Sequence, residues 1–180
     1  MPLRLEPIHR GHRPLLAGFQ NRHPALVEYL KRYALRHAEK DCLARTYLAI
    51  DAGPATPVMA GYFSLATVSV ERAAVAGLPV LDRLPRFPIP GVLLARLAVD
   101  SRVQGQGLGR YLFEEALGLT LHLGQAGPVA FRLFVTDALD DAAVRFYEHF
   151  GLASLGTDFP CRMVLDLQPL LSGGAASAGV

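Results

Sequence analysis

The chain is short of cysteine, of long apolar runs and of net charge, and each shortage narrows what it can be. Its two cysteines, Cys42 and Cys161, stand far apart in 180 residues and match no metal-ligand or redox spacing. Both are expected to pack as small apolar residues in a reducing compartment. No run approaches the ~18 apolar residues of a membrane span. The opening MPLRLEPIHRGHR lacks the apolar stretch of a signal peptide. The expected location is therefore the cytoplasm, with no membrane partner. A formal charge of +2 neither demands nor excludes nucleic acid. No internal repeat is present. What remains is a chain with 51% apolar residues, enough for one well-filled domain over residues 1–170. A small polar tail at 171–180 is expected to stay unfolded.

Periodicity divides the chain into strands and helices. Leu3–Ile8 alternates as a first strand. Leu26, Leu30, Ala34 and Ala38 recur at fours, predicting an amphipathic helix over 24–39 with Pro24 in its first turn. Arg45–Ile50 and Val58–Val70 read as a hairpin around the turn AGPATP. Residues 71–90, punctuated by Pro79, Pro85, Pro88 and Pro90, read as a stiff loop or broken helix. Then come a strand over 92–100, buried on both faces except at Arg96, and a helix over 106–123. A strand over 129–135, a helix over 138–150 stopped by Gly151 and a closing strand over 162–167 follow. The fold class is α/β with a mixed, mostly antiparallel sheet flanked by helices.

The most informative stretch is VLLARLAVDSRVQGQGLGRYL, residues 92–112. Gly105, Gly107 and Gly109 fall at every second position where a helix begins. Such a turn leaves backbone N–H groups bare beside the positive end of a helix, which suits a phosphate or pyrophosphate. The stretch is not a P-loop, since no Lys–Ser or Lys–Thr pair follows the glycines. Nor is it a Rossmann fingerprint. Arg110 stands where a third glycine or alanine belongs, and the acid expected about twenty residues on is missing. A plain turn needs less than Gln104 and three spaced glycines. The remaining pattern is Q/R-x-x-G-x-G/A, met by Gln104, Gly107 and Gly109.

With that motif after a buried strand, the chain resembles the GNAT superfamily of acetyl-CoA-dependent N-acetyltransferases, over nearly all of residues 3–167. The resemblance implies acetyl-CoA as co-substrate and no metal. It implies pyrophosphate contacts from Gln104, Gly105, Gln106, Gly107, Leu108 and Gly109, with Arg110 near by. It implies that the main chain of Leu97, Ala98 and Val99 faces the pantetheine arm.

A second constellation, AVRFYEHFG, spans residues 143–151. Val144 is expected to face the core, and Phe146 and Phe150, four apart, form a helical core pair. Tyr147 sits off their line, so its hydroxyl can reach an adjoining cleft. The resemblance implies that Tyr147 is the general acid for the departing coenzyme A thiolate; packing against the coenzyme is the alternative. Leu152 stands where the family pattern usually has phenylalanine. The rest of the chemistry asks for a neutral amine and for N–H groups that polarise the thioester carbonyl. A lysine is neutral in roughly one molecule in 2,500 at pH 7, an α-amine in roughly one in five to one in ten. The sequence shows no isolated central acid to serve as base, which favours an α-amine acceptor.

Residues 44–51, 60–70, 84–100 and 135–151 together resemble the acetyltransferase toxins of bacterial toxin–antitoxin pairs. That branch implies the α-amine of aminoacyl-tRNA as acceptor, a ribbon-helix-helix antitoxin and commonly a homodimer. A housekeeping enzyme acting on a small amine, a peptide N-terminus or a lysine is the alternative reading. A coenzyme-binding module without catalysis is the third. A tRNA acceptor needs a basic surface. Candidates are Arg10, His12, Arg13, Arg22, His23, Lys31, Arg32, Arg36, His37 and Lys40, with Arg83, Arg86 and Arg96. Against those in the first forty residues stand Glu6, Glu28 and Glu39. Arg96, a charge inside an apolar strand, is expected to pair with an acid or to line the acceptor cleft. GFQNRHP, residues 18–24, departs from the small turn usual in that branch.

Overall fold

The computed structural model describes residues 2–173 except 54, 77, 79, 80, 82, 83, 85 and 86. Its strands are β1 (Leu3–Pro7), β2 (Arg45–Asp51), β3 (Val58–Val70), β4 (Ile89–Val99), β5 (Leu133–Ala138), β6 (Ala153–Ser154) and β7 (Cys161–Asp166). They form one seven-stranded sheet in the order β1-β2-β3-β4-β5-β7-β6. β1–β2, β2–β3, β5–β7 and β6–β7 run antiparallel, and β4–β5 runs parallel. The helices are α1 (Arg13–Ala17), α2 (Pro24–Glu28), α3 (Leu35–Glu39), α4 (Leu108–Ala126), α5 (Asp141–Glu148) and α6 (Gln168–Gly173). Among the described residues no helix is long and apolar enough to cross a membrane. The chain divides into two compact units, Met1–Ala66 with Ala95–Ala116, and Thr67–Leu94 with Leu117–Val180.

The first unit is built on the β1–β2–β3 meander and the helical segment from Pro24 to Glu39. The hairpin holds as expected, with Thr46 and Ser64 joined by a buried hydroxyl–hydroxyl bond of 2.8 Å. The predicted helix over 24–39 exists, but its middle, Tyr29–Ala34, is π-helical. The pattern explains why. Four residues overshoot a 3.6-residue turn, so apolar side chains at every fourth position would drift around a regular α-helix. The wider π turn keeps Leu30 and Ala34 buried beneath Leu26. Gly61 on β3 has a separate reason to be glycine. A Cβ there would lie 2.8 Å from the Ala98 carbonyl oxygen and 2.8 Å from Leu112 Cδ1.

The second unit joins β5, β6 and β7 to α5 and α6. β5 begins at Leu133, not at 129 as expected, and Val129 is exposed. Pairing sets this start. Leu133–Ala138 match Asp166–Cys161 residue for residue, and Arg132 clamps Asp166 in a two-pronged ion pair. α5 is shorter than expected because Asp140 caps it, accepting from the Ala143 N–H at 2.8 Å. Gly151, at φ +84°, ends the segment as predicted.

Other expectations need correction. β4 starts three residues early, at Ile89, and its burial is uneven: Leu93, Ala95 and Leu97 are half-buried and Arg96 is exposed. Phe146 and Phe150 pair as expected, with ring centroids 5.1 Å apart, but Phe146 and Val144 on α5 and Phe150 just beyond it are only half-buried, and Tyr147 is the buried residue of α5. Cys42 is exposed in a left-handed conformation, whereas Cys161 is buried as expected. The stiff loop contains a 3-10 turn over Arg72–Val75; Pro79 and Pro85 lie outside the described residues. Of the predicted tail, Leu171–Gly173 belong to α6, and 174–180 lie outside the described residues.

Candidate active site

In the first unit, β4 runs straight into the glycine turn, and a buried carboxylate ties the two together. Asp100 follows β4 and is 1% exposed. It accepts from Arg102 Nε at 2.7 Å and Nη2 at 2.8 Å, and from the N–H groups of Arg102 and Gln20 at 3.0 Å each. Burial alone would raise its pKa. The hydrogen bonds from Arg102 and Gln20 outweigh that and hold the carboxyl below the usual range. Arg102 also donates to the Gly18 carbonyl at 3.0 Å, and the Ser101 N–H to the Gln20 carbonyl at 2.9 Å. The segment before α2 is thus strapped to the turn. The carbonyl of Val99 accepts from Asn21 Nδ2 at 2.9 Å and from Gln104 Nε2 at 3.2 Å.

Beyond Gln104 the turn opens. Gly105 and Gly107 have φ of +79° and +80°, and a Cβ on either would meet nothing within 4 Å. Conformation, not crowding, demands glycine at both positions, and the space over the turn is open. Gln104 to Gly107 are exposed, Leu108 anchors α4 in the core, and Gly109 is half-buried. Arg110 is engaged by Glu114 one turn on, at 2.7 Å. The start of α4 presents the N–H groups that every helix leaves unpaired. The parallel ladder between β4 and β5 covers Gly91–Leu94, so the main chain of Leu97, Ala98 and Val99 lies past its end.

In the second unit, Tyr147 is 7% exposed. Its hydroxyl shares a hydrogen bond with Thr136. Thr136 itself donates to the Leu94 carbonyl at 3.1 Å. Burial raises the Tyr147 pKa, the bond to Thr136 opposes the rise, and the Asp137 carboxylate adds to it. The phenol is therefore protonated at neutral pH. Asp137 is itself held by both arms of Arg162 at 2.8 Å.

Several of the basic residues of the first forty positions are engaged within the chain. Arg10 pairs with Glu39, Arg32 with Glu28 and Arg36 with Asp41. Lys31 donates to the Ala17 carbonyl. His12 is buried, bonded to Glu6 at 3.3 Å. Arg83 and Arg86 lie outside the described residues. Arg96 does not pair with an acid among the described residues; its guanidinium lies 5.0 Å from the centre of the Tyr29 ring. Glu6, His9 and His12 place ligand-type atoms within 4.8 Å of one another. Three of the four ring nitrogens are already bonded, however. His9 Nδ1 accepts from the Gly11 N–H, His12 Nδ1 from the His9 N–H, and His12 Nε2 meets Glu6. The group is a cap on the 3-10 turn Arg10–His12.

Sequence reasoning missed Asp100, Arg102, Gln20 and Asn21, which shape the turn, and Thr136, which holds Tyr147. Asp100 had a signal, as an aspartate two residues before an arginine at a helical start. Asn21 had none, because its partner lies 78 residues away.

A central strand leading through a left-handed glycine turn into a long helix, inside this mixed sheet, defines an acyl-coenzyme A-dependent transferase. The profile of the acetyltransferase (GNAT) domain matches residues 61–151. A tRNA-acetylating toxin of Mycobacterium tuberculosis (strain ATCC 25618 / H37Rv) is 33% identical over 151 residues, 83% of this chain and 84% of the relative. AtaT complexed with acetyl-methionyl-tRNAfMet superposes with a TM-score of 0.81 at 25% identity, over 94% of this chain and 97% of that one. AtaTR bound with AcCoA gives a TM-score of 0.77 at 25% identity, over 93% and 95%. The chain belongs to the GNAT family. It is an acetyl-CoA-dependent N-acetyltransferase acting on a primary amine.

Proposed function

We propose that the acceptor is the α-amine of the amino acid on a charged tRNA, and that the chain is the toxin of a cytoplasmic toxin–antitoxin pair. The observation that carries this reading is the 33% identity to a tRNA-acetylating toxin along 83% of the chain. A small ribbon-helix-helix antitoxin and a homodimer complete the proposal. An acetylated α-amine cannot attack the next peptidyl ester, so translation stops.

In this reading the N–H groups of residues 104–109 take the coenzyme pyrophosphate, with Arg110 near by. The open space over Gly105 and Gly107 supports it, because main-chain donors there can be approached closely. Leu97 and Ala98 offer main-chain groups to the pantetheine. Val99 can offer only its N–H, since its carbonyl already serves Asn21 and Gln104. The neutral α-amine attacks the thioester carbon, a tetrahedral oxyanion forms, and the C–S bond breaks. Tyr147 gives its proton to the departing thiolate. The phenol suits the task because burial keeps it protonated until then. An α-amine, already partly neutral at pH 7, needs only an ordered water as base.

Purified protein incubated with labelled acetyl-CoA and bulk charged tRNA tests the acceptor. Label is expected on the aminoacyl end. Label confined to free amines, with none on the aminoacyl end, would exclude the toxin reading and leave an enzyme of small amines.

A further inference from the structure

Arg96 stands out among the charges of the first unit. It sits in the middle of β4, between half-buried Ala95 and Leu97, yet its own side chain is exposed. Among the described residues its guanidinium makes one hydrogen bond, to the carbonyl of the preceding Ala95. Among the described residues no carboxylate lies within ion-pair distance of it. It is nevertheless held in place, 5.0 Å from the centre of the Tyr29 ring. That ring is buried at the head of the π-helical turn, stacked on Tyr62 with centroids 6.4 Å apart and at an edge to His37 at 5.6 Å. Tyr62 is itself fixed by a 2.7 Å bond from its hydroxyl to the Leu26 carbonyl. A planar cation laid on a rigid aromatic face loses little freedom on binding, and keeps its remaining donors for an anion.

We propose that Arg96, held over Tyr29, binds the last internucleotide phosphate of the acceptor RNA. This rests on the aminoacyl-tRNA reading above and deepens it. The chemistry of such an acceptor leaves few choices of anion. Its amino acid carboxyl is esterified and its amine must be neutral to react. The nearest negative charge is then the phosphate joining the terminal nucleoside to the chain. Arg96 immediately precedes Leu97, Ala98 and Val99, the stretch assigned to the pantetheine. A cation there meets the acceptor beside the acetyl donor.

The test uses the full chain, the variants Arg96→Met and Arg96→Lys, and two acceptors: charged tRNA and the same amino acid esterified to adenosine, which carries no phosphate. Loss of one charge-assisted, two-pronged contact is expected to raise the KM for charged tRNA about tenfold in Arg96→Met. Arg96→Lys keeps the charge and should recover part of this. The slope of log KM against log salt should fall by about 0.7, the value for one single-strand phosphate contact. The KM values for acetyl-CoA and for the adenosine ester should move less than twofold. An equal rise for both acceptors, or an unchanged salt slope, overturns the assignment and makes Arg96 a packing residue. A wild-type protein inactive on charged tRNA but active on the adenosine ester removes the tRNA reading itself, and this assignment with it.

Discussion

Replacing Gly107 separates the two things the turn is asked to do. Its φ of +80° is costly for any residue with a Cβ, yet a Cβ there meets nothing within 4 Å. Gly107→Ala therefore reports strain alone, about 1–2 kcal/mol. For a chain of this size that is a fall in Tm of about 2–8 °C. Gly107→Asn should lose less, because asparagine tolerates the left-handed region. Gly107→Asp has nearly the shape of the asparagine variant and adds one negative charge. At about 5 Å from a bound phosphate, an effective dielectric of ~20 to ~80 gives about 0.8–3.3 kcal/mol of repulsion per unit charge. The position is exposed and salt screens it, so the lower half of that range applies: about four- to thirtyfold weaker binding than in the asparagine variant. Calorimetric titration with acetyl-CoA at low and high salt measures the difference, and melting curves measure the strain. Equal affinities for the Asn and Asp variants at low salt would refute the pyrophosphate cradle, whatever the alanine variant does.

Tyr147→Phe should lower kcat about a hundredfold, in keeping with a lost general acid, while acetyl-CoA affinity changes less than twofold; an unchanged kcat would return Tyr147 to a packing role. Gly61→Ala drives a methyl against the Ala98 carbonyl and Leu112, and should cost roughly 1–3 kcal/mol in urea unfolding; a neutral result would mean that β3 can shift freely. His12 has its pKa lowered by burial and by His9, against the pull of Glu6. Its neutral form is the one folding favours, so the unfolded chain binds more protons below pH 6.5. Stability is expected to be full above that pH and to fall as pH drops toward the folded-state pKa. His12→Asn should flatten the urea midpoint between pH 7.5 and 5 relative to wild type, and identical pH slopes would exclude the effect.

Local information was enough for much of this protein. The alternation over Leu3–Pro7, the hairpin of β2 and β3, the glycines of the turn and the Gly151 stop can each be read from a few adjacent residues. Their causes are dihedral preference and side-chain period, which act within one turn or one strand. The every-fourth pattern at Leu26, Leu30, Ala34 and Ala38 showed a helix, but the π turn that accommodates it came from packing. The start of β5 at Leu133 was invisible because β7, not β5, decides where pairing begins. The resemblance gave the main chain of Val99 to the pantetheine, and only the fold brings Asn21 to its carbonyl. Tyr147 was identifiable by type and spacing, but its charge state is set by burial. Arg96 announced itself as an odd charge in an apolar strand, and only tertiary structure put a tyrosine ring beneath it and no described acid within reach. Chain-local geometry thus determined which elements form and where the glycines must stand. Hydrogen-bond partners, burial and the pairing of charges waited on contacts between residues tens of positions apart, because desolvation and Coulomb attraction depend on distance in space and not along the chain.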